Sequence, residues 1–263
     1  MVTVDAVLLG GGTGSRFSGA SVRDGNQAPK QFQVVGDAPV FIHCLRSLLS
    51  LDCFRQIVLA MPEEHVTLTE ELLDKYNVRH SKTLIRVVSG GARRQDSSYL
   101  ALMALEELSP PPTRILIHDA CRPFLSAQFL ERVKSALYDR AYGAWVPVVP
   151  VVETLKRVED QRVVETVDRG LVQRVQTPQV FEFTVIRSLV EKVKEAPELN
   201  FTDDASLCEY YGIPVGVFEG DVRNLKLTYG FELDTLRTML SEAASEAAKE
   251  PPCEPVSVTT STV

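Results

Sequence analysis

Short apolar runs that alternate with longer amphipathic stretches constrain this chain more than any other feature. The runs "AVLLG" (6–10), "QIVLAMP" (56–62), "LIRVVSGG" (84–91), "RILIHDA" (114–120) and "GAWVPVV" (143–149) have the length and aliphatic content of strands buried on both faces. Between them, "VFIHCLRSLL" (40–49), "DSSYLALMALEEL" (96–108) and "SAQFLERVKSALYDRA" (126–141) carry apolar residues at helical spacing. Strand and helix in alternation predict an α/β protein, a three-layer sandwich around a mostly parallel, Rossmann-like sheet. In such sheets a ligand sits beyond the carboxyl ends of the strands. The unusual residues of this chain directly follow strands, in "GGGTGSR" (10–16), "SGGARRQDS" (89–97) and "HDACRP" (118–123).

The alternation breaks between Val149 and Gln173. β-Branched pieces there flank the polar turn "EDQR" (159–162), which predicts a projecting β-hairpin over about 149–173. Such a hairpin cannot bury both its faces alone, so it is expected to pack on a second subunit. Helix resumes in "EFTVIRSLVEKVKEA" (182–196). "TDDASLCEYYG" (202–212) reads as a short helix capped near Thr202 or Asp203 and ended by Gly212. "PVGVFEG" (214–220) and "LKLT" (225–228) read as late strands, and 230–250 as a terminal helix. Residues 1–240 are read as one domain, and the Pro-, Ser- and Thr-rich tail 249–263 as disordered.

The 263 residues carry a formal net charge of −7. That argues against wrapping nucleic acid or lying on an anionic membrane, so an anionic ligand would need a local basic cluster. Cys44, Cys53, Cys121, Cys208 and Cys253 include no C-x-x-C pair and read as reduced, packed thiols. His43, His65, His80 and His118 are scattered and read as structural. The start lacks the layout of a secretion signal, and no apolar run approaches the roughly 20 residues of a membrane helix. A soluble, cytoplasmic protein is expected.

Strand one opens into "VLLGGGTGSRF" (7–17). A glycine loop lets backbone N–H groups line up around phosphate, although the same loop also occurs as a turn with no ligand. A Walker A loop requires a Gly-Lys pair, and the sequence has none. A dinucleotide fingerprint requires G-x-G-x-x-G; counted from Gly12 the sixth position is Phe17, and counted from Gly11 the third is Thr13. A third layout, that of nucleotide-sugar pyrophosphorylases, places an arginine after the loop and then a lysine after proline. Arg16 and "PKQF" (29–32) supply both. A planar guanidinium fork and a compact ammonium suit the charge that gathers on an α-phosphorus during nucleotidyl transfer.

In order along the chain, "LLGGGTGSRF", "PKQF", "SGGARRQDSS", "IHDACRPF", "ETLKRV", "TVDRGLVQRVQTPQVF", "TDDAS" and "NLKLT" resemble the motifs of the 2-C-methyl-D-erythritol 4-phosphate cytidylyltransferase family, over about Val4 to Leu236. The resemblance implies a sheet of the nucleotide-diphospho-sugar transferase type. It also implies transfer of a cytidylyl group from CTP to the phosphate of 2-C-methyl-D-erythritol 4-phosphate, with Mg²⁺ and release of pyrophosphate, in isoprenoid precursor synthesis. By motif position, Arg16 and Lys30 stabilise the transition state, while Arg169 and Lys226 position the attacking phosphate. The triphosphate falls on Gly11, Gly12, Thr13 and Gly14, and the cytosine near Gly91, Arg94 and Ser97. Asp119 is set at the ribose or the Mg²⁺, with Ala120 and Arg122 beside the nucleotide. Thr154, Thr202 and Asp203 go to the acceptor side, and Thr177 to a supporting position. The hairpin corresponds to an arm that embraces a partner, so Thr154 and Arg169 would complete a neighbour's site in a homodimer.

Plainer readings stand beside these. Arg94 could be a solvated loop residue, Asp119 a turn cap, and Thr202 or Asp203 a helix cap. No general base is implied, because the attacking phosphate oxygen is already ionised. The chain departs from the family pattern in the longer stretch "FSGASVRDGNQA" (17–28), in Glu153 where the family has Asp, and in "YGFELDTL" (229–236). A ribitol 5-phosphate cytidylyltransferase would share everything but the acceptor. A non-catalytic nucleotide-binding regulatory protein would be expected to have lost one of Arg16, Lys30, Arg169 and Lys226, and all are present.

Overall fold

Every residue of β1 (Val4–Leu9) is buried, and its apolar side chains alternate between two cores. Val4, Ala6 and Leu8 enter one, Val7 and Leu9 the other, as a period-two strand requires. The computed structural model describes residues 2–11, 29–80, 82–196 and 198–247. Gly12, Thr13, Gly14, Arg16, the stretch 17–28 and the tail 249–263 lie outside the described residues.

After β1 come the short strands β2 (Val34–Val35) and β3 (Ala38–Pro39), then α1 (Val40–Leu49) and β4 (Phe54–Met61). Next are α2 (Val66–Lys75), β5 (Leu84–Ser89), α3 (Arg94–Leu105), β6 (Arg114–Asp119), α4 (Ala127–Tyr138) and β7 (Ala144–Pro150). The chain continues through β8 (Lys156–Glu159), β9 (Arg162–Thr166), β10 (Gln173–Val175) and β11 (Gln179–Glu182). It ends with α5 (Phe183–Lys194), α6 (Ala205–Tyr210), β12 (Val215–Glu219) and α7 (Glu232–Ala247).

The main sheet runs β5–β4–β1–β6–β11–β7, with β10 and β12 also paired to β7. β5, β4, β1 and β6 are mutually parallel, and β12 is parallel to β7. β11 runs antiparallel to both its neighbours. Phe41, Leu45 and Leu48 of α1, Phe129 and Val133 of α4 and Leu236 of α7 cover one face. Leu102 and Leu105 of α3, Ile186 and Leu189 of α5 and Leu207 of α6 cover the other. The three-layer, mostly parallel α/β sandwich expected from the sequence is therefore the fold.

The hairpin is also present. β8 and β9 pair around Asp160 and Gln161, which have φ of 47° and 62°. Two successive positive φ values make the turn whose twist matches a two-residue hairpin. Every residue of β8 and β9 is exposed. The short helix after "TDD" ends at Gly212, as expected, with φ of 73°. One expectation is corrected: residues 225–228 form no strand. They join the sheet region through the Leu227 N–H, which donates to the Cys121 carbonyl at 2.8 Å. Side-chain amides, described below, hold this segment where a ladder would have flattened it. The described cysteines, Cys44, Cys53, Cys121 and Cys208, are free thiols. Among the described residues no helix is long and apolar enough to cross a membrane.

At the other end of β1 the sheet buries a charge. Asp5 is fully buried, and its carboxylate accepts from Arg55 Nε at 2.9 Å, Arg55 Nη2 at 2.7 Å and Gln56 Nε2 at 2.9 Å. Removing a buried partner strands the other charge, but Arg55 is 23% exposed and recovers part of its hydration. Asp5→Ala is expected to cost about 2–3 kcal/mol, read as a lower urea midpoint with an unchanged slope.

Candidate active site

The sheet order reverses direction at β1. The chain moves from β1 to β4 and β5 on one side, then returns to β6 on the other. Loops after β1 and β6 therefore meet at a switch point, the usual ligand crevice of open α/β sheets. Leu9 lies opposite Asp119 in the pairing, and the Ala120 N–H donates to the Leu9 carbonyl at 2.8 Å. A Cβ on Gly10 would come within 2.3 Å of Met61 Sδ, and one on Gly11 within 2.7 Å of Ser97 Oγ. Glycine here lets the first turn of α3 close onto the end of β1. Lys30 sits in a 3-10 turn (Lys30–Phe32), and the buried Gln31 donates from Nε2 to the Gly10 carbonyl at 2.6 Å. One amide thus ties the "PKQF" turn to the start of the glycine loop.

Asp119 is the centre of the crevice. Lys226 Nζ lies 2.8 Å from its Oδ2, Arg122 Nε 3.6 Å from the same oxygen, and Arg94 Nε 3.6 Å from Oδ1. Burial alone would raise the carboxyl's pKa. Lys226, Arg94 and Arg122 outweigh burial and hold it well below the usual carboxylate range. Arg94 shows the converse balance: burial disfavours its charge, and Asp204, then Asp119, then Asp203 more than restore it. Arg94 Nη2 and Arg122 Nε are buried with no hydrogen-bond partner. Both nitrogens therefore keep donor capacity beside the Asp119 carboxylate. Among the described residues no cluster of three or more His, Cys, Asp or Glu could hold a metal.

Side chains rather than sheet hold Lys226 there. Gln176 Nε2 donates to the Asp221 carbonyl at 2.8 Å, and Asn224 Nδ2 to the Thr177 carbonyl at 2.8 Å. Arg122 Nη1 donates to the Asn224 carbonyl at 2.9 Å. The other face of Asp119 rests on a relay. Its N–H donates to Thr177 Oγ1 at 3.1 Å, and Thr177 Oγ1 is 2.9 Å from His118 Nδ1. His118 Nε2 is 3.1 Å from the Arg122 carbonyl, which can accept but not donate. Nε2 therefore carries the proton, and Nδ1 accepts from the threonine hydroxyl.

The structure brings together Gly11, Lys30, Gly91, Arg94, Asp119, Ala120, Arg122 and Lys226 around this crevice. Ser97 closes the loop itself: its Oγ accepts the Gly91 N–H at 3.0 Å. Asp203 accepts from the Ser206 N–H at 3.1 Å, so it does cap α6, and also from Gln179 Nε2 at 2.6 Å. Thr202 is exposed. Thr154 and Arg169 lie on the exposed arm, where Arg169 Nη1 donates to the Val152 carbonyl at 2.7 Å. Within one chain neither has an ion pair or hydrogen bond to Asp119. Sequence reasoning missed Gln31, the His118–Thr177 relay and Asp204, whose buried carboxylate lies 2.7 Å from Arg94 Nη1.

Fold and crevice define an α/β protein with a mostly parallel sheet and a group of cations gathered at its switch point. Residues 5–242 match the family model for 2-C-methyl-D-erythritol 4-phosphate cytidylyltransferase, and the chain belongs to that family. It is 36% identical to the Bacillus cereus enzyme of that name over 211 residues, 80% of this chain and 89% of that one. It is 38% identical over 234 residues to a bifunctional IspD/IspF enzyme of Solidesulfovibrio magneticus, covering 88% of this chain and 55% of the relative. The chain thus spans about half the length of the bifunctional relatives it matches. The solved 4-diphosphocytidyl-2C-methyl-D-erythritol synthase from Anaerococcus prevotii superposes with a TM-score of 0.74 at 26% identity, covering 91% of this chain and 99% of that one.

Burial, chiefly, pushes the His118 pKa down from 6.5 to about 4, so the ring is neutral in the fold. The unfolded chain binds that proton below its ordinary pKa, so stability is lost as pH falls from about 6.5 towards about 4, at up to about 1.4 kcal/mol per pH unit. His118→Gln keeps a donor for the Arg122 carbonyl and removes the titration. Its urea midpoint is expected to vary less with pH across that window than the wild-type midpoint.

Proposed function

We propose that this chain transfers a cytidylyl group from CTP to 2-C-methyl-D-erythritol 4-phosphate. The observation that carries this is the ring of Lys226, Arg122 and Arg94 around Asp119 at the switch point, with buried guanidinium donors left unpartnered. A phosphate oxygen of the acceptor attacks the α-phosphorus of CTP. A P–O bond forms there as the bond to the β-phosphate oxygen breaks, and pyrophosphate leaves. No proton transfer is needed, because the nucleophile is already an anion. The difficulty is to bring two anions together, and cations on both answer it. Gly11 to Gly14 cradle the triphosphate. Arg16 and Lys30 face the α-phosphate, where charge grows in the transition state. Lys226 takes the acceptor phosphate in exchange for Asp119. Ala120 and Arg122 flank the nucleotide, and Gly91, Arg94 and Ser97 shape the base side.

The donor set around Asp119 fits Mg²⁺ in one way. A single carboxylate suffices for an ion that draws its other ligands from phosphates and water. Asp119 would be the residue to hold it. Bound there, Mg²⁺ would neutralise charge on the triphosphate.

The arm favours a homodimer. Val158, Val163 and Val164 are exposed on a two-stranded hairpin that is marginal alone, and Leu171 is exposed in the 3-10 turn that follows it. A neighbour's arm would cover them and deliver Thr154 and Arg169 to the acceptor side, opposite Thr202 and Asp203. The working compartment is the cytoplasm.

Purified protein with CTP and Mg²⁺ is expected to release pyrophosphate with 2-C-methyl-D-erythritol 4-phosphate. Preferential turnover of ribitol 5-phosphate would overturn the choice of acceptor, and CTP binding without turnover of either would favour a regulatory role. Lys30→Ala and Arg16→Ala are each expected to lower kcat by about 100-fold or more while changing CTP affinity only a few-fold, because both charges are aimed at the transition state. Retained kcat with weaker CTP binding would reassign them to ground-state binding.

A further inference from the structure

One part-buried ion pair joins the first turn of α3 to the segment that leads into α6. Asp204 is 1% exposed. Its Oδ2 lies 2.7 Å from Arg94 Nη1, and its Oδ1 accepts from Ser98 Oγ at 2.6 Å. Neutral bonds strap the same two segments. Gln95 Nε2 donates to the Leu199 carbonyl at 2.9 Å, and Gln95 Oε1 accepts the Phe201 N–H at 3.0 Å. Backbone position is therefore secured without Asp204, and its charge is left to act on the guanidinium.

The nitrogens of Arg94 point three ways. Nη1 meets Asp204, Nε stands 3.6 Å from Asp119, and Nη2 is buried without a partner. A guanidinium between two carboxylates settles on whichever attracts it more. Here the close contact is with Asp204, so Asp119 keeps its 2.8 Å contact with Lys226. Without the Asp204 charge, Arg94 would close on Asp119, compete with Lys226 and turn Nη2 out of its present direction.

We propose that Asp204 is a positioning residue, which seats Arg94 so that Nη2 faces the nucleotide and holds Arg94 at its 3.6 Å approach to Asp119. The proposal rests on reading the crevice as a CTP site and is independent of the acceptor. The test is CTP binding by calorimetry, with steady-state kinetics and thermal midpoints. The proteins are the wild type, Asp204→Asn, Arg94→Lys, the double variant and Ser98→Ala. Asp204→Asn is expected to weaken CTP binding about tenfold, the scale of a lost charge-assisted bond, while kcat at saturating CTP falls less than about threefold. Arg94→Lys leaves a cation for Asp204 but loses the fork, and is expected to weaken CTP binding similarly. The double variant is expected to be no weaker than the worse single one, because Asp204 acts through Arg94. Ser98→Ala, which removes the neutral bond to the same carboxylate, is expected to lower the thermal midpoint without changing CTP affinity. Unchanged CTP affinity in folded Asp204→Asn, or in Arg94→Lys should the first not fold, would overturn the proposal. Additive losses in the double variant would do the same. A wild-type protein that binds CTP but transfers to neither polyol phosphate would sink the acceptor reading and leave this one intact. One that does not bind CTP would sink both.

Discussion

The parallel pairing of β1 with β6 is the constraint on which the rest depends. It sets Leu9 beside Asp119, so the glycine loop and the "HDACRP" turn leave the sheet side by side. The chain leaves this point towards opposite sides of the sheet, to β4 and β5 on one side and through β6 on the other. The crevice would be costly to fill with a carboxylate alone. Taking one out of water costs several kcal/mol, and a partner must offset it. Lys226 at 2.8 Å does so, helped by Arg94 and Arg122. The same cations that make Asp119 tolerable as a buried charge are the ones the proposed phosphate site would use.

This local balance opposes the global one. The chain carries a formal net charge of −7, yet its crevice gathers positive groups. A net negative charge disfavours indiscriminate adhesion of polyanions, while at the switch point three cations are held beside the one carboxylate of Asp119.

Much of this was legible in the sequence, for physical reasons that can be named. β1, β4 and β6 were visible because strands buried on both faces carry near-continuous aliphatic runs. Helix α1 covers 40–49 as its spacing indicated. Strand β11 was not visible: "QTPQVF" is short and polar, and its pairing with β6 is a long-range fact. The motifs identified Asp119 and Lys226 separately, but no spacing says that residues so distant in sequence touch. Asp203 and Asp204 are neighbours of one type, and only the helix start sends the first to Ser206 and Gln179 and the second to Arg94. His118 looked structural and is so, yet its link to Asp119 runs through Thr177. Arg169 and Thr154 sit on an arm whose function, if shared between two chains, cannot be read within one.

The tie between Gln31 and the Gly10 carbonyl has a consequence for how such a protein can vary. It fastens the point where the chain leaves β1 to the point where it returns at Lys30. A tie between two points of a chain is only weakly sensitive to the number of residues between them, since each doubling of that length costs only about 0.6 kcal/mol. Extra residues there barely burden the fold, whereas losing the one amide that makes the tie costs a buried hydrogen bond. Over generations the span can therefore grow or shrink as drift allows, while the lysine beyond it keeps its station.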